Sequence, residues 1–536
     1  MTNFAPLEYS ARLLHALQNS SLYDHPVDEF QVIETHISWV LLTGPFAYKI
    51  KKPVDLGFVD FSTLERRGFF CSEELRLNRR LAPEVYLSVV AITGTCERPE
   101  FDGLTPAIEY AVKMKQFPQQ NLLTCILQQG QLQARHIDGL ARQVADFHSR
   151  VQVAGPETPF GSPDALAKPV LANFHYLPRE AANILGEDRI EALRHWTERE
   201  HDHQSKLLRR RKTGGFVREC HGDLHLGNMA LLDDRVVVFD CIDFNETFRW
   251  IDVMSELAFT VMDLIDRGRA DFAYRFLNSY LEQTGDYQGL AVLRYYLTYR
   301  AMVRAKVAGI RLEQEKKDEP EWISTRNELK GYMKLAERLT QPTQASLILM
   351  HGLSGSGKTT ISHMILEKIG AIRIRSDIER KRLYGLSPEA RSGEVGRPSI
   401  YGSDATASTY RKLEDLAEMI LAAGFPVIVD ATFLKTVQRK PFQRLATKMQ
   451  VPFLIVDVCA SKSTLQGRVR EREKSHVDAS EATVAVLEDQ NVYQESFTAQ
   501  EQPFVVRVQN DETLDSLVLK EELMKSLRSV IRGGME

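Results

Sequence analysis

The run Gly352-Leu353-Ser354-Gly355-Ser356-Gly357-Lys358-Thr359 constrains this chain more than any other. It fits the spacing G-x-x-x-x-G-K-[ST], follows the apolar segment Leu347-Ile348-Leu349-Met350 and precedes a helical stretch, Thr359 to Ile369, that Gly370 stops. Glycines let successive backbone N–H groups turn inward, and the next helix offers its positive end at the same point. Such a segment is suited to holding phosphate oxygens. Lys358 is placed to reach the terminal phosphates of a nucleotide, and Thr359, with Thr360 beside it, to hold Mg²⁺ and phosphate. The chain beyond it alternates between helix and strand. Ala405 to Ala423 carries Tyr410, Leu413, Ala417, Ile420 and Leu421 on one face, Pro426-Val427-Ile428-Val429 reads as a strand, and so does Phe453-Leu454-Ile455-Val456. That alternation predicts a doubly wound parallel sheet.

Acidic and basic residues sit where phosphoryl chemistry needs them. Asp377 follows a short apolar segment and could take a proton from a substrate hydroxyl, or cap the helix after it. Asp430 ends the Val427–Val429 strand, as a second acidic group near Mg²⁺ or as a turn residue. Arg468, Arg470 and Arg472 share one helical segment, either a lid over transferring phosphates or a solvated face. From Ser346 to Glu501 the chain resembles the small P-loop kinases: gluconate kinase, adenylylsulfate kinase, the kinase part of polynucleotide repair enzymes and zeta-toxin-like kinases. The loop, Ser376-Asp377-x-x-Arg380, Val429-Asp430-Ala431-Thr432 and the arginines carry the likeness.

A second signature, His221-Gly222-Asp223-Leu224-His225-Leu226-Gly227-Asn228, lies far upstream. Its spacing places an aspartate to orient an acceptor hydroxyl and an asparagine five residues on to hold Mg²⁺. Val236–Phe239 then delivers Asp240 at a strand end, where another Mg²⁺ ligand is required, and Asp243 competes for that role. Upstream, Phe46 to Lys51 alternates as a strand and offers Lys49 as a phosphate clamp, with Lys51 as a fallback. Glu74, on a helix expected over Leu64–Leu81, is either the partner of that lysine or a surface residue. His225 reads as structural or substrate-facing, and Arg209-Arg210-Arg211-Lys212 as a solvated face or, less simply, a contact for an anionic substrate. Ile251 to Leu281 reads as one long helix. From Phe30 to Leu339 the chain resembles the aminoglycoside phosphotransferase and choline kinase group, although no G-x-G-x-x-G stands in the first hairpin.

Taken whole, the chain resembles bacterial bifunctional proteins with an aminoglycoside phosphotransferase-like part and an ATP-binding P-loop kinase part. The resemblance implies a bilobal protein-kinase-like α+β fold over 1–340, with a small lobe to about 117, and a P-loop α/β domain over 345–536. The polar run Thr340–Gln344 around Pro342 is the expected junction. A chain of 536 residues has room for both cores.

Other classes find little support. A net charge of −4 gives no general electrostatic footprint for nucleic acid or anionic membrane. Six scattered cysteines without a C-x-x-C pair suggest neither a disulfide framework nor a zinc site. With no signal-peptide pattern and no spanning apolar run, the expected location is the cytoplasm. The reading is an ATP- and Mg²⁺-dependent phosphotransferase acting on small hydroxyl acceptors in two domains. Two alternatives stand beside it: one catalytic domain regulated by a nucleotide-binding second domain, or a nucleotide-gated scaffold without transfer.

Overall fold

The computed structural model describes residues 6–57, 59–388, 390, 400, 402–475 and 481–511. The chain divides into two compact units, Met1–Val170 with Ser205–Asp263, and Leu171–Gln204 with Leu264–Glu536. The polar stretch around Pro342 falls inside the second unit.

The first unit opens with a six-stranded antiparallel sheet: β1 (Gln31–Glu34), β2 (Ser38–Leu42), β3 (Phe46–Lys51), β4 (Tyr86–Thr95), β5 (Arg98–Phe101) and β6 (Glu109–Lys115), in the order β1-β2-β3-β6-β4-β5. β3 is central, so alternate side chains point to opposite faces and Lys49 and Lys51 share one. The helix Leu64–Asn78 packs against β4 and β6. Thr63 caps it by accepting the Arg66 N–H at 3.3 Å, and it ends at Asn78 rather than at Leu81. Its buried side, Cys71, Glu74 and Leu77, puts a carboxylate among apolar groups, which requires a charged partner.

Beyond the sheet the same unit holds the helix Ala134–Arg150 and two small antiparallel ribbons. β7 (Val217–Glu219) pairs with β10 (Trp250–Asp252), and β8 (Met229–Leu232) with β9 (Arg235–Val238). Asp233 and Asp234, both left-handed at φ 49° and 60°, close the second as a tight hairpin turn.

Two expectations are corrected in this region. The basic run 209–212 is not a uniformly solvated face, because Arg211 is 1% exposed and clamps Asp252 at 2.7 and 2.8 Å. A helix turns about 100° per residue, so neighbours in a basic run face different ways. Changing Arg211 to leucine strands Asp252 as a buried, unpaired carboxylate. Urea unfolding should register a loss of about 3–5 kcal/mol, whereas an unchanged midpoint would mean the pair contributes nothing. The second correction concerns 251–281. It forms two helices, Val253–Asp266 and Ala270–Thr284, interrupted at Gly268, whose φ of 75° no helix accommodates.

In the second unit the helices Leu290–Gln314 and Pro320–Thr340 pack on each other. A five-stranded, wholly parallel sheet follows: β11 (Leu347–His351), β12 (Ile372–Arg375), β13 (Val427–Asp430), β14 (Phe453–Cys459) and β15 (Val505–Gln509), ordered β12-β13-β11-β14-β15. Ile348, Met350, Ile361, Ile365, Ile428 and Val456 form its core. Since β11 stands between β13 and β14, the loop after it opens where crossovers leave in opposite directions, the position at which such sheets bind ligands. β15 and the helix Val484–Tyr493 went unread in the sequence; the strand is short, at a sheet edge, and interrupted by Arg507. Among the described residues, no helix is long and apolar enough to cross a membrane.

Candidate functional site

The first unit gathers its charged residues around β3. Lys49 Nζ donates to Asp240 Oδ1 at 2.5 Å and pairs with Glu74 Oε1 at 2.8 Å. Lys51 Nζ donates to Glu74 Oε2 at 2.7 Å and to Asp243 Oδ2 at 2.5 Å. Glu74 therefore spans both lysines and is no surface glutamate. The two aspartates differ. Asp243 is buried, and burial holds its carboxyl above the usual range despite the pull of Lys51. Asp240 keeps 46% of its side chain exposed and sits in left-handed backbone at φ 63°.

Burial pushes the Glu74 carboxyl up, but the two ammonium groups outweigh it and bring its pKa down to about 2. A carboxylate with a depressed folded-state pKa contributes stability that is complete above its ordinary pKa of 4.5 and lost as pH falls toward 2. Glu74→Gln should lower the melting temperature at neutral pH and flatten that acid decline, as followed by circular dichroism. An acid limb identical to the parent's would count against the pairing.

The loop His221–Asn228 is braced from beneath. Glu256, buried, accepts the His221 N–H at 2.6 Å and the Gly222 N–H at 2.8 Å. Its contact with His148 and Cys220 makes a buried trio, but both carboxylate oxygens are already engaged by the loop. His221 Nε2 lies 2.9 Å from the Phe239 carbonyl, which can only accept, so the ring proton sits there and Nδ1 takes the Asp223 N–H at 3.3 Å. Gly222 has a φ of 90°, and a Cβ there would stand 2.7 Å from the Phe248 carbonyl oxygen.

Asp223 receives two donors at its carboxylate. Asn228 Nδ2 reaches Oδ2 at 2.9 Å and also the Asp223 carbonyl at 3.0 Å. His225 Nδ1 accepts the Gly227 N–H at 3.0 Å, which leaves the His225 proton on Nε2, 3.3 Å from Asp223 Oδ2. His225 thus lies against the Asp223 carboxylate.

In the second unit, Ser354, Gly355, Gly357, Lys358 and Thr359 of the loop line a cavity of about 590 Å³. Gly352 has a φ of 137°, and a Cβ there would lie 2.3 Å from the Val458 carbonyl oxygen. Lys358 Nζ donates to the Gly352 and Leu353 carbonyls at 2.9 Å each. Parallel register sets Asp430 beside Met350, and its Oδ2 accepts the Thr359 hydroxyl at 2.9 Å. Asp377, in the first turn of the helix Ser376–Leu383, lines the same cavity with Arg380 and Tyr410. So do Arg468 and Arg472, which donate to the Asn510 and Ala482 carbonyls at 2.9 and 3.2 Å.

Hydroxyl, carboxylate and amide oxygens are the hard donors that Mg²⁺ prefers. Thr359 with Asp430, and Asn228 with Asp240, fit that ion by donor chemistry.

Four residues went unsuspected in the sequence. Gln490 accepts the Ser354 N–H at 2.9 Å, Asn510 Nδ2 donates to the Ser356 carbonyl at 2.7 Å, and Arg373 and Glu282 lie behind Thr359. All four approach from distant segments, and no local motif announces them.

Two stretches of the chain match family models. Residues 70–295 match the family model described as the phosphotransferase enzyme family, and residues 347–496 that described as an AAA domain. A curated protein of Mycobacterium tuberculosis, itself described as uncharacterized, is 28% identical over 466 residues, spanning 86% of this chain and 91% of its own length. A protein of Mycobacterium bovis gives the same values. Among solved structures, amicoumacin kinase hAmiN in complex with AMP-PNP, Ca²⁺ and Ami is similar at 15% identity, covering 60% of this chain and 95% of that one, with a TM-score of 0.38. A gluconokinase from Sinorhizobium meliloti is similar at 20% identity, covering 35% of this chain and 98% of its own, with a TM-score of 0.25. Residues 70–295 thus carry the phosphotransferase family match and residues 347–496 the AAA-domain match, and the chain is a phosphotransferase.

Proposed function

We propose that this phosphotransferase depends on Mg²⁺ and ATP and moves the γ-phosphoryl group to hydroxyl groups of small molecules in both domains, with the junction of the two chemistries near Pro342. Bound Mg²⁺ would neutralise charge on the phosphate oxygens. At the first site Asn228 and Asp240 would hold the ion and Lys49, steadied by Glu74, would grip the nucleotide phosphates. Asp223, oriented by Asn228 and His225, would accept the proton of the acceptor hydroxyl. Asp243 is assigned to Lys51 rather than to the ion, because its oxygen lies 2.5 Å from that ammonium inside the core.

At the second site Lys358 and the loop amides would hold phosphates, Thr359 and Asp430 the ion, and Asp377 would be the base. Arg468 and Arg472 would draw over the transferring group. The observation that carries the reading is that Lys358, Thr359, Asp430 and Asp377 line one cavity, side chains suited to gripping phosphate, holding the ion and taking up a proton. The test is transfer of label from γ-labelled ATP to a panel of hydroxyl-bearing metabolites with Mg²⁺. Labelled product supports the reading, and no product across the panel together with no ATP binding overturns it.

A further inference from the structure

Behind the Gly352–Thr359 loop lies a charge relay whose outer member comes from outside the P-loop domain. Arg373, on β12, is 3% exposed. Its Nη1 donates to the Thr359 carbonyl, to Ser362 Oγ and to His363 Nδ1, each at 3.2 Å. Ser362 Oγ also lies 3.3 Å from Asp430 Oδ2, the oxygen that accepts the Thr359 hydroxyl. The other side of the guanidinium is taken by Glu282, whose Oε1 accepts Nε at 3.1 Å and Nη2 at 2.6 Å. Glu282 belongs to the helix Ala270–Thr284, within the segment that matches the phosphotransferase family rather than the P-loop domain.

Its position is firmly built. The Glu282 carbonyl accepts Arg382 Nη2 at 2.6 Å, and Arg375 Nη1 stands 3.6 Å from its second carboxylate oxygen. One turn earlier, Asn278 accepts the Arg373 N–H at 2.7 Å and donates to the Ala371 carbonyl at 2.9 Å, fixing the helix to the edge of the sheet. Burial works to raise the Glu282 carboxyl, but Arg373 and Arg375 outweigh it and hold it below the ordinary carboxylate value, so it carries its charge at neutral pH.

We propose that Glu282 is a positioning residue for the second site: it neutralises Arg373 so that Asp430 and Thr359 stay committed to the Mg²⁺ of the bound nucleotide. This rests on the reading of Gly352–Thr359 as a nucleotide site. A buried guanidinium without its carboxylate turns to the nearest remaining anion. Through Ser362 the Arg373 guanidinium is linked to Asp430, the group a divalent cation would use. An uncompensated positive charge behind Thr359 and Asp430 would also repel a cation held by them. Glu282 touches neither nucleotide nor acceptor in this role and acts only through Arg373.

The full-length chain tests this by calorimetric titration with ADP, at stepped Mg²⁺ concentrations and in EDTA. The second-site component is the one lost in Lys358→Ala. Glu282→Ala should raise the Mg²⁺ needed to half-saturate that component about tenfold, with ADP binding in EDTA changed less than about twofold. Glu282→Gln keeps an acceptor for Arg373 without the charge. It should melt within a few degrees of the parent, at about 3 °C or less, and still show the raised Mg²⁺ requirement. Thus a poorly folded alanine variant does not end the test.

A Glu282→Gln chain with the parental Mg²⁺ requirement, or one weakened equally with Mg²⁺ and in EDTA, overturns the role of Glu282 and leaves the nucleotide site standing. A Lys358→Ala chain that keeps all its ADP binding overturns both.

Discussion

Turnover at the first site should fall about a thousandfold when Asp223 is replaced by asparagine, with ATP affinity held within about twofold. The side chain keeps its size, so the donors from Asn228 and His225 still have an oxygen to meet. Only the capacity to take up a proton is lost. The proposed nucleotide grip is the Lys49–Glu74 pair, which the substitution leaves in place, so binding should survive. Initial rates of γ-phosphoryl transfer, with ATP affinity measured alongside, decide the matter. A rate near that of the parent would remove Asp223 as the base, and a parallel collapse of affinity would make it a binding group instead.

Lys358→Ala acts on the other domain and at an earlier step. The ammonium group bridges the Gly352 and Leu353 carbonyls at the mouth of the loop, the place from which it can reach terminal phosphates. Its removal should weaken nucleotide binding at the second site about a hundredfold or more. The two substitutions together also separate the rival organisations of the chain. If each silences one of two transfer activities, both domains are kinases. If Lys358→Ala stops transfer that also requires Asp223, the P-loop domain controls the first site. Titration of nucleotide stoichiometry with matched rate measurements distinguishes these outcomes.

Legibility in the sequence followed the range of the interactions. The Gly352–Thr359 loop was readable because its glycines, lysine and threonine are contiguous and flanked by a strand and a helix that announce themselves. Asp223 and Asn228 were readable for the same reason. The partnership of Glu74 with β3 could only be offered as one of two options, since it depends on a helix folding back over a sheet. Arg211 was misread because a basic run looks alike whether or not one member turns inward toward Asp252, 41 residues away. Glu282, Gln490 and Asn510 left no local trace, because each meets the P-loop region across a separation set only by tertiary packing. Gly268 was in plain view, but helical periodicity on either side of it masked the break.

The hold of Asn278 on β12 bears on how such a protein can be taken apart. β12 is the last strand on its side of the sheet, and its outer edge is occupied at Ala371 and Arg373 by one side-chain amide. A fragment cut at the sequence junction and begun at Ser346 would bare those peptide groups together with the Arg373 guanidinium. An uncovered strand edge recruits a second copy of itself, which leads to aggregation. The smallest piece worth expressing for study of the P-loop sheet therefore starts upstream of Ala270.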